Sequence, residues 1–126
     1  MFENIKYDDL LVRHWILFDY DVKDAYAIEP VHYVFKLKDS IHYKALLSGD
    51  YSDYVTLIET SKQHDHSLKS FLFLKENFDI DMLNENKIHV GWDDRYNKYI
   101  VWDGVHRLAL LLYNMQNLNP NWFKLN

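Results

Sequence analysis

The sequence predicts an α/β (α+β) domain, and three stretches carry that prediction. Lys87 to Trp92 and Lys98 to Trp102 alternate apolar and polar residues, as a pair of strands joined by a polar turn would. The run from Val105 to Leu112 spaces its apolar residues as a helix with one buried stripe does. Between Ile41 and Phe78 further segments show the same helical spacing.

Taken in order, Leu11 to Phe18 reads as a strand. Val12, Ile16 and Phe18 lie on one side and Arg13, Trp15 and Leu17 on the other, so His14 shares a face with apolar neighbours. Val31 to Leu37 is a second extended segment, entered through Glu29-Pro30 because proline biases the residue before it away from helix. Asp39 or Ser40 caps a helix over Ile41 to Leu47 that Ser48-Gly49 stops. Asp50 or Ser52 caps the next, which runs to about Ser61 with Tyr51, Tyr54, Val55 and Ile58 at helical spacing. Ser67 caps a third helix over Leu68 to Phe78, striped by Leu68, Phe71, Leu72 and Lys75, and Asp79 to Asn86 reads as a polar connection.

Asp93 to Asn97 supplies the hairpin turn between the late strands. From Gly104 the last helix buries Val105, Leu108, Leu112 and Met115 and ends near Asn117, ahead of Pro120. Trp122 to Leu125 is a short tail able to lie on the sheet. No internal repeat or long linker interrupts the chain, which reads as a single domain over residues 1–126.

Composition narrows the function classes. With 48% hydrophobic and 17% aromatic residues, the chain has material for a packed core and rings to spare for a pocket or an interface. A net charge of −5 lacks the basic field of a nucleic-acid binder. No apolar run approaches the length of a membrane span and residues 1–20 lack the pattern of a signal peptide, so the expectation is a cytoplasmic protein with no membrane partner. The absence of cysteine removes disulfides, thiol catalysis and cysteine metal sites together. Oligomeric state is left open.

The segment from Tyr99 to Leu112 carries the most chemistry. An apolar strand runs through Asp103-Gly104 into a helix whose first turn holds His106 and Arg107. Free N–H groups and a macrodipole of about half a positive charge favour an anion at such a helix start. Arg107 adds a planar fork of donors, His106 a donor or proton carrier titrating near neutrality, and Gly104 room for close approach. The plainer alternatives are a helix cap for Asp103 and solvent-facing or structural roles for His106 and Arg107. His64-Asp65-His66 has metal-ligand chemistry, but no further ligands can be placed beside it, so no metal site is assigned.

Asp103-Gly104-Val105-His106-Arg107 after a hydrophobic strand resembles the nucleotide-phosphate motif of the ParB-like/sulfiredoxin-like superfamily. The resemblance covers about Lys87 to Met115 and implies a small mixed sheet packed with helices, with phosphate held by Gly104, Val105, His106 and Arg107. Two further stretches, His42-Tyr43 through Gly49-Asp50-Tyr51 and His66-Ser67 through Phe71, resemble small ParB-like proteins of bacterial surface-polysaccharide gene clusters. That likeness implies substrate contacts at His42, Tyr43, Asp50 and His66, with Glu29 a further candidate. From the residues alone His42 is a surface histidine, Tyr43 a packed ring, Asp50 a helix cap and Glu29 an exposed acid, while His66 opens the helix containing Phe71, where structural capping is the alternative.

Where sulfiredoxins carry a cysteine between the glycine and the histidine, this chain has Val105, which removes their sulfur chemistry. Few residues follow the last helix, so the helix-turn-helix of ParB partition proteins is not expected. Free-serine kinases of the superfamily use a similar Asp-Gly-His-His-Arg corner, and Val105 replaces their first histidine. The resemblance therefore implies a kinase-like phosphotransferase or a nucleotide hydrolase acting in sugar or surface-polysaccharide metabolism. Its partners would be ATP, ADP or CTP with Mg²⁺ and a small hydroxylated metabolite, and its catalytic residues Asp103, His106 and Glu29. Alternatives are a non-catalytic nucleotide or phosphosugar sensing module and, disfavoured by charge, a ParB-like DNA-binding domain or nuclease.

Overall fold

The computed structural model describes residues 4–63 and 65–126. Six strands form one mixed sheet: β1 (Leu10–Trp15), β2 (Ala25–Glu29), β3 (His32–Lys36), β4 (Ile88–Asp93), β5 (Lys98–Asp103) and β6 (Phe123–Leu125), in the order β2-β3-β1-β5-β4-β6. The pairs β1–β5 and β4–β6 are parallel and the others antiparallel. Four helices complete the domain: α1 (Ile41–Ser48), α2 (Ser52–Thr60), α3 (Leu68–Glu76) and α4 (Val105–Tyr113). None of the described helices is long and apolar enough to cross a membrane.

The alternation in β1 sorts its side chains as the sequence predicts. Val12 joins the main core with Ile16 just beyond the strand, while Leu11 meets Val34 and Ile100 on the opposite sheet face. His14 faces the core and is only 3% exposed, whereas Arg13 and Trp15 are exposed. The strand ends at Trp15, short of the predicted Phe18. Strand β2 escapes the sequence reading because its residues are half-buried or exposed, with no apolar alternation; pairing to β3 makes it a strand.

Helix boundaries follow local chemistry. Ser40 caps α1 through its Oγ, which accepts the Tyr43 N–H at 3.1 Å, and Gly49 ends it in the left-handed conformation with φ 76°. The cap position of α2 is Tyr51, not Asp50 or Ser52; Asp50 instead closes the preceding turn by accepting the Ser52 N–H. Ser67 caps α3 as predicted, but the helix stops at Glu76, and its buried side is Phe71 flanked by Leu68 and Leu74 while Leu72 is exposed. The connection after α3 holds a 3-10 helix, Ile80–Asn84, that buries Leu83 completely.

Helix α4 ends at Tyr113, earlier than its apolar pattern suggests. Met115 takes a left-handed φ of 56°, the Gln116 N–H turns back to the Leu111 carbonyl, and the Met115 side chain is 89% exposed. Leu108, Ala109, Leu110 and Leu111 are all fully buried, so α4 is enclosed on most sides rather than along one stripe. The C-terminal tail does not lie on the sheet; it lengthens it, with Ile88, His89 and Val90 of β4 in register with Phe123, Lys124 and Leu125.

The link from β5 to α4 is a single residue. Gly104 sits at φ 104°, ψ 20°, a conformation open to glycine and unfavourable for other residues. A Cβ there would fall 3.1 Å from Ile88 Cγ1 and 3.3 Å from Ile88 Cα. At Gly49, which also has positive φ, nothing lies within 4 Å. Gly104→Ala is therefore expected to cost about 2–4 kcal/mol, strain plus collision, and Gly49→Ala about 1 kcal/mol, strain alone. Urea denaturation of both variants checks this: equal losses would mean that the packing against Ile88 carries no energy.

Candidate functional site

Parallel strands β1 and β5 end side by side, and the chain turns at Gly104 into the first turn of α4 above them. The first bond within the helix is from the Leu108 N–H to the Gly104 carbonyl, at 2.9 Å, and no side chain caps the end. The N–H groups of the first turn are left for an external acceptor. Crevices at the carboxyl ends of parallel strands are where open α/β sheets bind ligands.

Two clefts flank this helix start. The larger, about 420 Å³, has an apolar wall of Phe71, Phe73, Leu74 and Met82 and a polar end of His66, Asp103, His106 and Arg107. The smaller, about 200 Å³, is lined by Arg13, His14, His42, Gln63 and Trp102. Asp103, Gly104, His106 and His66 border both.

Arg107 is partly committed within the protein. Its Nη1 donates to the Asn86 carbonyl at 2.7 Å, and its Nη2 lies 3.4 Å from the Asp103 carboxylate. Its side chain is only 15% exposed while that of Asp103 is 71% exposed. The aspartate does not cap α4, because Gly104 occupies the cap position.

The Nε2 of His106 is 2.7 Å from the Tyr54 hydroxyl. Tyr54 is fully buried, and burial raises its pKa, so the phenol stays protonated. A phenol both donates and accepts, and the imidazole tautomer decides which group donates in this contact. Burial above all, then nearby His66 and Arg107, lowers the His106 pKa to about 3. His106 is consequently a neutral imidazole at neutral pH, not the group titrating near pH 7 that the sequence suggests.

His106 belongs to a file of four imidazoles. His14 stacks on His42 with ring centroids 5.4 Å apart, His42 meets His106 edge-on at 4.5 Å, and His106 lies 4.6 Å from His66. The His14 Nε2 accepts the Ile41 N–H at 3.1 Å, and burial lowers its pKa to about 3. His42 is 4% exposed and its buried Nδ1 has no partner. Burial first, then the neighbouring His106, holds its pKa well below the usual range.

Of the sequence candidates, Asp103, Gly104, Val105, His106, Arg107, His42 and His66 meet here. Glu29 does not: it lies at the end of β2, separated from β5 by β3 and β1, and faces His32 at 3.3 Å. Tyr43 packs against the core, and Asp50 is bonded to Ser52; neither lines these clefts. His42 is not the surface histidine its position in the sequence suggests. His64 lies outside the described residues; Asp65 and His66 border the larger cleft. Among the described residues no group of three His, Cys, Asp or Glu has metal-binding geometry. Arg13, His14, Tyr54 and Asn86 were not singled out for the site, and the one available signal was a histidine on the core face of β1.

Comparison with known proteins finds no matching family model, no matching curated protein and no matching solved structure.

The buried imidazoles set the acid stability. Each has a folded-state pKa below its unfolded value, so its contribution is full above about pH 6.5 and is lost as pH falls toward 3, by about 1.4 kcal/mol per pH unit per site. Unfolding free energy is therefore expected to fall steeply between pH 6.5 and 5. His42→Phe, which removes the unpartnered Nδ1 but keeps a ring, should flatten that slope without loss of stability at pH 7.5. Denaturation series at several pH values test both; a slope unchanged in the variant would contradict the assignment.

Proposed function

We propose that the protein binds the phosphates of a nucleotide at the start of α4 and transfers the terminal phosphoryl group to a small hydroxylated metabolite, or to water. The observation that carries this reading is the uncapped helix start at Gly104, set between two clefts and beside Arg107 and His106. The larger cleft supports a nucleotide by its chemistry, since an apolar wall suits a base and the polar end suits phosphate. The ParB-like/sulfiredoxin-like resemblance agrees with it and supplies the nucleotide candidates ATP, ADP and CTP.

In this mechanism the first-turn N–H groups, Arg107 and the His106 imidazole hold phosphate oxygens, where preorganised donors stabilise developing charge. The acceptor oxygen bonds to the terminal phosphorus as the bond to the bridging oxygen breaks, and the nucleotide product leaves with that electron pair. The acceptor proton passes to the exposed Asp103 carboxylate; Glu29 is too many strands away to share the task. Asp103 and Asp65 on the rim of the larger cleft are hard oxygen donors of the kind Mg²⁺ takes together with phosphates. When bound, Mg²⁺ would neutralise phosphate charge.

The second reading is a sensing module that binds the same ligand without turnover.

Thermal denaturation with ATP, ADP or CTP and Mg²⁺ tests the binding. One nucleotide is expected to raise the Tm, corresponding to about 2.7 kcal/mol at a concentration of 100 Kd. Arg107→Lys keeps the charge but loses the fork and should weaken binding at least tenfold. No shift with any of the three overturns the reading; a shift with no phosphate transferred or released selects the sensor.

A further inference from the structure

We propose that the sheet face turned away from the helices binds a single strand of RNA, its bases stacked on the planar groups at the carboxyl ends of β1 and β5. Nothing in this requires a nucleotide at the start of α4.

All four helices pack on one side of the sheet, against Val12, Phe35, Val90 and Val101. On the other side Leu11, Val34 and Ile100 form a small cluster to which no described helix contributes. Ile28 and Tyr96, the latter from the β4–β5 turn, pack on that cluster, and Tyr26 of β2 lies 5.3 Å from Tyr96. Toward the ends of β1 and β5 the face is uncovered, leaving Trp15 44% and Trp102 52% exposed.

These two indoles are seated by their neighbours. Trp102 rests its ring nitrogen on Gly91, where a Cβ would overlap it, and the Arg13 guanidinium lies 4.8 Å from its ring. Trp15 stacks on His32 of β3, with centroids 5.3 Å apart and planes 18° from parallel. Alternate residues of one strand stand about 7 Å apart on the same face, so Arg13 and Trp15 offer successive planar groups to an extended strand of unstacked bases. Aromatic and guanidinium planes on an open sheet hold single-stranded RNA in this way.

Charge points to the same partner. Register and alternation set Lys36, Lys98 and Lys124 on this face with Arg13, and no carboxylate pairs with any of the four among the described residues. Its carboxylates are engaged: Asp93 by Arg95, and Glu29 by His32 at 3.3 Å. The net charge of −5 is therefore carried elsewhere, and this face has a local basic excess suited to a polyanion. Two-fold pairing of the face with a second copy would set the same cations against each other. The Glu29–His32 pair, beside Trp15, presents an acceptor and a donor to a ribose 2′-hydroxyl, which deoxyribose lacks.

Fluorescence anisotropy of a labelled oligouridylate of about ten nucleotides, titrated with the full chain, tests the proposal. Saturable binding is expected that weakens steeply with added salt. Trp15→Ala and Arg13→Gln, both at exposed side chains, should each weaken it by about fivefold or more with the Tm unchanged. Trp92→Ala, at a tryptophan of similar exposure on the helix side of the sheet, should not. No binding at low salt, or an equal loss in Trp92→Ala and Trp15→Ala, overturns the proposal. So does displacement by excess ATP at matched ionic strength, which would place the strand at α4. The deoxy strand bound as tightly contradicts the choice of RNA, and Trp15-dependent capture on phosphatidylserine vesicles without RNA binding assigns the face to a membrane instead.

Discussion

The left-handed turn at Gly104 is the constraint on which the site depends. A side chain at that position would press against Ile88 and the Arg107 guanidinium, and its backbone conformation is one that glycine alone adopts without strain. Because the turn takes one residue, α4 starts directly above the end of β5 and beside β1. The fully buried run from Leu108 to Leu111 then fixes the helix in the core, so the exposed groups at its start are held by a rigid element. Arg107 reaches from that first turn to the Asn86 carbonyl and ties the chain leading into β4 to the same place.

Around this turn the protein accepts an arrangement unfavourable to stability. Three imidazoles are kept from charging by burial, and one has a nitrogen that bonds to nothing. Apolar residues of similar size would fill the space without that penalty. The Ile41 N–H sets the tautomer of the His14 ring, which is the kind of support expected when the direction of a donor matters.

Much of the fold was legible where the local pattern and the tertiary environment agree. The β4–β5 hairpin, the caps at Ser40 and Ser67 and the strand-to-helix turn at Gly104 follow from nearby residues. Strand β2 was not legible, because an edge strand with little buried surface is specified by its partner β3. The ends of β1, α3 and α4 were misplaced for a related reason: apolar pattern continues past them, and turns such as the one at Met115 are settled by hydrogen bonds to the preceding helix.

The candidate site was legible in its contiguous part, with His42 and His66 reached only through the family resemblance. Asp103 to Arg107 stand together in the chain and meet at one place, but His14, His42, Tyr54 and His66 come from β1, α1, α2 and the segment before α3. Their meeting is a product of topology, and spacing in the sequence contains no trace of it. Glu29 shows the reverse case: it ends a strand at the same end of the sheet, yet intervening strands hold it away.

The most direct test of the central claim is a titration of the ¹⁵N-labelled protein with ATP and Mg²⁺, followed through the backbone amides. The account predicts that the largest saturable shifts fall on Gly104, Val105, His106 and Arg107, whose N–H groups face the proposed phosphate. Shifts confined to another surface, such as the lysine-lined hollow at Lys23, Lys36 and Lys38, would contradict it, as would none at all.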